Sequence, residues 1–376
     1  MILLVRKFAW DENSPEINKP KALENYFLTK KEQKMKLTKL FLSTFVLLSF
    51  CASASNIKTA EHKGESILPK LFGDKPIYKL KIEGKENMIE VFFNGVRVYK
   101  DDTLTSSYIT YPINNLIATG KNELKVRLIA MQSINYTFKS RSKFKITFMV
   151  KSEGKEHVLS VLQYTHKEIE KFAGTTPSGT YSIDNQLKPS NEGDLTIGEV
   201  KTSPMPMYRT QKVKGLIFTQ NISVPTPFPR WKFLDSENIL DTNFDDLSMD
   251  KYQKLKASPK IQALYDQYTL LHSAFKAKNV HKILDMIEER SKEMDIAWYS
   301  QQGFNRKEMQ EDLNEMLNNN DWEFVGFDRD KHYFFIEDNN KIGYLNAIAF
   351  NKKNVELRTS YRFSFRYSKG KWILTR

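Results

Sequence analysis

Val91-Phe92-Phe93-Asn94-Gly95-Val96-Arg97-Val98-Tyr99 decides the fold class of the N-terminal half. Two runs of β-branched and aromatic residues flank an Asn-Gly pair, and both turn residues tolerate the positive φ that a two-residue hairpin requires. Working outward, residues 77–150 keep a period of two. Leu124, Val126 and Leu128 alternate with Lys125 and Arg127; Phe144, Ile146, Phe148 and Val150 alternate with Lys143, Lys145, Thr147 and Met149. Such alternation predicts antiparallel strands with one buried and one solvated face. Gly120-Lys121-Asn122 makes the turn ahead of the Leu124 strand. Residues 173–207 are rich in Pro, Ser and Gly, and strand-like residues return at 214–224. Both stretches read as longer-looped strands of the same layer structure, so a β-sandwich domain is expected over residues 55–234.

Val91 to Tyr99, then Ile113-Asn114-Asn115-Leu116, then Gly120-Lys121-Asn122-Glu123-Leu124-Lys125-Val126 follow one another as hairpin, apolar-x-x-Leu and Gly-x-Asn-x-Leu-x-Val. In this order the chain resembles the jelly-roll modules appended to secreted enzymes and glycan-binding proteins. The resemblance covers some fifty residues of strand and turn, so it implies a fold and brings no ligand site with it.

Pro225-Thr226-Pro227-Phe228-Pro229-Arg230-Trp231-Lys232-Phe233 follows. Three prolines at alternate positions hold the backbone extended and remove amide donors, which excludes a central strand. Two readings stand. Phe228, Arg230 and Trp231 form a partner-binding surface, since Trp and Arg are frequent interface anchors. Alternatively, Phe228 and Trp231 plug the sandwich edge or seal the junction with the next domain.

Residues 235–257 are short on apolar periodicity and read as a linker. Ser258-Pro259 then opens a helix, Ser as N-cap and Pro in the first turn. Ile261, Leu264, Tyr265, Tyr268, Leu271, Ala274 and Phe275 make one apolar stripe at helical spacing. A second helix places Val280, Ile283, Leu284 and Ile287 inward and Glu288, Glu289 and Arg290 outward. Asn305 with Glu308 resembles a capping box for a third, carrying Met309, Leu313, Met316 and Leu317. Strands are expected over 322–327, 332–337, 341–350, 355–367 and 371–374. Helices followed by an antiparallel meander indicate an α+β domain. The ending Tyr361-Arg362-Phe363-Ser364-Phe365-Arg366-Tyr367-Ser368-Lys369-Gly370-Lys371-Trp372-Ile373-Leu374 is similar to the last two strands of the NTF2-like (cystatin-like cone) superfamily. That resemblance implies helices packed on a curved antiparallel sheet over 258–376. Its members include isomerases, dehydratases and non-catalytic binding modules, and no catalytic residue carries over.

Met35-Lys36-Leu37-Thr38-Lys39, the apolar run 40–50 and Ala52-Ser53-Ala54 read as a secretory signal peptide over 35–54. Residues 1–34 are then an upstream extension, with Met35 as the true start. The eleven-residue run is short of the roughly 20 apolar residues of a spanning helix, so no transmembrane segment is expected in the mature chain. Cys51 directly follows the apolar run, but Phe50 stands where a bacterial lipobox carries a small residue, so the resemblance to a lipoprotein signal is poor.

The net charge of +13 includes part of the removed segment; the remainder is still basic, about +9. This suits an anionic surface, glycan or acidic partner, or serves solubility alone. Scattered lysines and an exported location argue against nucleic acid. Cys51 is the single cysteine, so the mature chain is expected to hold no disulfide, cysteine nucleophile or thiolate metal site. His62, His157, His166, His272, His281 and His332 show no ligand spacing. His272 and His281, nine apart on consecutive helices, are the pair that could approach a pocket. Glu288-Glu289 and Asp245-Asp246 read as solvated faces, and Trp298-Tyr299 as core or as the cone's mouth. No P-loop, dinucleotide fingerprint, nucleophile elbow or zincin motif occurs.

The chain is therefore expected to be an exported, periplasmic or secreted bacterial protein that binds a protein partner without catalysis and without a cofactor or metal. An immunity-type protein that neutralises a periplasmic toxin fits that description. The alternatives are a glycan- or lipid-binding envelope protein and an NTF2-like isomerase or hydrolase, the last marked by a buried Asp–His or Asp–Tyr pair with shifted pKa values.

Overall fold

The Asn-Gly hairpin forms as expected, with Asn94 at φ 50° and Gly95 at φ 68° joining β2 (Met88–Phe93) to β3 (Val96–Asp101). The computed structural model describes residues 72–376 apart from 87, 102–104, 130–141, 166–179, 185–194, 206, 209–210, 213–214, 242–243 and 245–246. The expected upstream extension, the expected signal peptide with Cys51, and His62, His166 and Asp245-Asp246 lie outside the described residues.

Around the hairpin lie β1 (Ile77–Lys85), β4 (Ser107–Pro112), β5 (Gly120–Ile129), β6 (Lys143–Ser152), β7 (Lys155–Thr165), β8 (Thr180–Asp184), β9 (Thr196–Pro204) and β12 (Gly215–Val224). They build two five-stranded antiparallel sheets, ordered β4-β1-β6-β7-β8 and β3-β2-β5-β12-β9. Met207–Tyr208 (β10) and Gln211–Lys212 (β11) pair separately. One core cluster draws on both sheets: Leu80, Ile82, Ile146 and Phe148 from the first, Val91, Phe93, Val126 and Phe218 from the second. The inward residues expected on β5 and β6 are buried.

Three residues expected outward are also buried: Arg127, Thr147 and Met149. Thr147 and Met149 lie on the central strand β6, opposite Lys81 and Lys79 of β1 and Val161 and Val158 of β7. Long lysine stems can cover such a face while their ammonium groups stay in water. Arg127 is covered by the C-terminal half.

All five α-helices among the described residues lie in that half: α1 (Met249–Lys256), α2 (Pro259–Lys276), α3 (Val280–Met286), α4 (Glu288–Ala297) and α5 (Phe304–Asn318). None is long and apolar enough to cross a membrane. The stretch 235–257, expected as a connection, holds α1 and buries Ile239, Leu240, Leu247 and Tyr252. Ser258 caps α2, its hydroxyl accepting from Ile261 N at 3.4 Å, and the whole predicted stripe from Ile261 to Phe275 is buried.

The predicted second helix is two, broken at Ile287. Glu289 does not face water: both its oxygens accept from the Arg366 guanidinium, at 2.7 and 2.8 Å. The start of α5 also differs from the capping-box expectation. Gly303 is the N-cap, and Asp295 of α4 supplies the acceptors, taking Gly303 N at 2.6 Å and Asn305 N at 2.8 Å. A carboxylate from the preceding helix does what a local side chain was expected to do.

The C-terminal strands are β13 (Trp322–Phe324), β14 (Phe334–Ile336), β15 (Ile342–Leu345), β16 (Ile348–Lys352), β17 (Arg358–Tyr361), β18 (Ser364–Ser368) and β19 (Lys371–Leu374). The expected strands 341–350 and 355–367 are each divided. Their halves enter different antiparallel sheets, β13-β16-β17 and β14-β15-β18-β19. Helix α2 contacts β15 and β19, and its stripe shares a core with Phe350, Phe363, Phe365 and Trp372.

The β2–β3 hairpin is pinned against the turn between β14 and β15. Asn339 N donates to Gly95 O at 3.2 Å, and Arg97 N to Glu337 Oε2 at 3.1 Å. Asp338, 5 % exposed, takes Lys125 Nζ at 2.5 Å and also binds Arg127. Burial opposes the Lys125 ammonium, but the charge and hydrogen bond of Asp338 outweigh it and raise the pKa.

Candidate functional site

The end of α2, the end of α5 and the first C-terminal strand leave a groove of about 370 Å³ between them. Its floor is apolar. Phe275 stacks on Phe324 at 5.7 Å between ring centres, Phe324 lies 5.1 Å from Phe350, and Met316, Leu317 and Trp322 complete the wall. Helical spacing on α2 brings Phe275 inward, whereas Trp322 and Phe324 reach one face because they are two apart on a strand.

The rim is cationic. Lys276, in the last turn of α2, Lys278, in the turn beyond it, and Lys353, after β16, all line the groove and are exposed. Among the described residues none of the three meets a carboxylate. Asn319 and Asn320 add amide donors and acceptors, and no acidic side chain lines the groove. His272 forms one wall, its ring 4.6 Å from Phe324 and its Nε2 3.1 Å from Val325 O. Burial lowers its pKa, and the hydrogen bond only partly offsets this.

His281, the other histidine of the expected pair, is exposed on α3 and does not line the groove. Among the described residues the Asp–Tyr combination looked for in an acid/base site has a counterpart in Asp312 and Tyr361. Burial, with Glu315 and Glu311 nearby, raises the Asp312 carboxyl, and burial pushes the Tyr361 hydroxyl up to about 12. Neither lines the groove. Among the described residues no group of three or more His, Cys, Asp or Glu is placed to hold a metal ion.

The Pro-rich segment lies elsewhere. Phe228 and Trp231 are 5 % and 1 % exposed, in the N-terminal core cluster. Trp231 Nε1 donates to Ile117 O at 2.7 Å, and Phe228 packs 5.8 Å from Trp231 and 5.6 Å from Tyr299. Arg230 points outward, paired with Asp235 at 2.5 Å. Two of the three candidate binding residues are thus packed inside the junction, and one faces solvent. Tyr299 belongs to the same junction, its hydroxyl donating to Pro76 O at 3.0 Å.

The lysines escape sequence reasoning because Lys353 lies 75 residues beyond the Lys276–Lys278 pair and no spacing links them. The signal that was present is local: Lys276-Ala277-Lys278-Asn279 and Asn318-Asn319-Asn320 are polar turn clusters at the ends of two apolar helices, where a groove mouth is formed. Comparison with protein-family models, curated proteins and solved structures finds no match to this chain.

Proposed function

We propose that this chain is an exported ligand-capture protein whose C-terminal groove takes an anionic amphiphile, an apolar tail bearing a carboxylate or phosphate head. The observation that carries the reading is the combination of an aromatic floor with Lys276, Lys278 and Lys353, none of which meets a carboxylate among the described residues. The volume is at the lower end of the ~300–1,000 Å³ of small-molecule sites, and such sites join apolar walls to a few placed polar groups. Burying the tail supplies most of the affinity, and the lysines select the charge of the head. In this reading residues 35–54 direct export, the N-terminal sheets are a jelly-roll-like β-sandwich, and residues 258–376 are an NTF2-like cone. One core shared by two five-stranded sheets supports the former, and α2 lying on β15 and β19 the latter.

Calorimetric titration of the full chain with dodecanoate, dodecyl phosphate and neutral dodecyl maltoside, all below micelle formation, tests the assignment. The two anions should bind at least about tenfold more tightly than the neutral ligand, a difference of ~1.4 kcal/mol. A Lys276→Glu, Lys278→Glu, Lys353→Glu chain should lose that preference. Equal affinity for all three ligands, or binding of none, would refute the reading.

A second reading, capture of a protein such as a periplasmic toxin, is favoured by β4. It pairs with β1 alone among the described strands and presents Tyr108 at 70 % exposure. An open edge accepts a partner strand. One stoichiometric protein recovered from envelope extract by the full chain, and lost with Thr110→Pro, is the result expected of it; no such protein would sink it.

A further inference from the structure

His272 and Lys276 stand one turn apart on α2, so their side chains are neighbours on one helix face, and both line the groove. The imidazole is held in place. Its ring centre lies 4.6 Å from that of Phe324 and 5.9 Å from that of Phe327, and its Nε2 is 3.1 Å from Val325 O. A carbonyl oxygen can only accept, so Nε2 carries the proton of the neutral ring and Nδ1 is left as a bare acceptor. Among the described residues nothing meets Nδ1.

The two charge states of His272 therefore treat an anion differently. Neutral, the ring offers it only a lone pair. Protonated, it adds an N–H on Nδ1 and a positive charge beside Lys276. In the empty groove burial opposes the second state, and so do the charges of Lys276 and of His332, across Phe327. No acidic side chain lining the groove offsets them. Glu323 is exposed on β13 between Trp322 and Phe324, which take the groove face. Asp328, beyond Gly326, is paired with Lys331 at 3.3 Å. The end of α5 contributes Met316, Leu317, Asn319 and Asn320, none of them charged, and the other charges at the groove are Lys278 and Lys353.

We infer that the anionic head group of the ligand binds between His272 and Lys276 and draws a proton onto His272, so that capture tightens as pH falls below neutrality. An opposite charge at about 4–6 Å favours the protonated ring, and each decade by which the ring holds its proton more tightly appears as a decade in ligand affinity. Linkage fixes the sign. Affinity is lowest where His272 is neutral in both the free and the filled groove, and highest where it is charged in both. The groove thus fills in acid and empties toward alkaline pH. This contact rests on the amphiphile reading of the groove and adds to the lysines a donor that pH switches.

Calorimetric titration of the full chain with decanesulfonate, below micelle formation, is the test, because a sulfonate keeps its charge where a phosphate monoester titrates, at about pH 6. Affinity should rise about tenfold or more between pH 8 and pH 5.5. At an intermediate pH, two buffers of different ionisation enthalpy should reveal uptake of part of a proton on binding. His272→Gln, whose amide can still donate to Val325 O, should lose both the gain and the uptake. His281→Gln, exposed on α3 away from the groove, should keep both. In the native chain one histidine ring resonance should titrate at higher pH with decanesulfonate than without it, which tests the contact without any substitution. Binding that is equal at the two pH values, or a gain that survives His272→Gln, overturns the inference and leaves the amphiphile reading standing. No binding of decanesulfonate at either pH removes the amphiphile reading and the His272 contact together.

Discussion

Gly95→Ala incurs two costs that a matched control separates. Gly95 has φ +68°, and a Cβ built there would lie 2.5 Å from both the backbone N and the Cβ of Asn339. Gly120 has φ +86° with nothing within 4 Å of its added Cβ. Placing an L-residue in the left-handed region costs about 1–2 kcal/mol at either position. Only Gly95 also has to push a backbone segment away, an overpacking cost of about 1–3 kcal/mol. The expected losses are therefore ~2–5 kcal/mol for Gly95→Ala and ~1–2 kcal/mol for Gly120→Ala. Urea unfolding followed by tryptophan emission measures both, with comparable m values as the condition for comparing midpoints. Equal losses would mean that the hairpin does not rest against the β14–β15 turn, and the whole account of the junction would fail with it.

Phe228→Ala should cost about 3–5 kcal/mol, because it empties a packed site between Trp231 and Tyr299, whereas Arg230→Ala should change stability by less than ~0.5 kcal/mol, its pair with Asp235 being exposed. Urea midpoints distinguish these values, and a large loss at Arg230 would contradict its placement. His272 gives a pH prediction. Burial lowers its folded pKa below the ordinary value of 6.5, so the unfolded chain binds the proton more readily. Stability should then be full above the unfolded pKa and decline as pH falls below about 6.5 toward the folded pKa. His272→Gln should flatten that part of the profile; an unchanged slope would assign the decline to other groups.

The local features were legible: the Asn94-Gly95 turn, the stripe from Ile261 to Phe275, the Ser258 cap and the final strand. Each is settled by neighbours a few residues away. The division of 341–350 and 355–367 between two sheets was not: alternation from Val355 to Tyr367 runs unbroken past Arg362, and a single Asn346, though depleted in strands, stands inside an otherwise apolar run. The cap of α5 escaped because Asp295 lies eight residues before Gly303, beyond the spacing of a capping box. Glu289 and Arg127 read as solvated because a charge on the outer face of a helix or strand looks the same whether water or a distant residue meets it. The groove was half legible, His272 being singled out and the lysines not.

The polar contacts at the junction join residues far apart in the chain, the ion pair of Lys125 with Asp338 spanning 213 positions and the hydrogen bond from Arg97 to the Tyr344 hydroxyl 247. At a synthesis rate of about 5–20 residues per second, Asp338 emerges ~10–40 s after Lys125. Once Val224 has emerged the N-terminal sheets have every strand they need, but until Asp338 follows, the outer face of the hairpin and β5 has no partner. Because that face carries Arg97, Lys125 and Arg127, the last lying 4.8 Å over the Phe92 ring, its charges keep it soluble while it waits and cover the aromatic surface a neighbouring nascent chain could adhere to. The same charges thus guard the unfinished chain and later join its two ends, so replacing them with well-packed hydrophobic residues would trade safe assembly for a tighter finished fold.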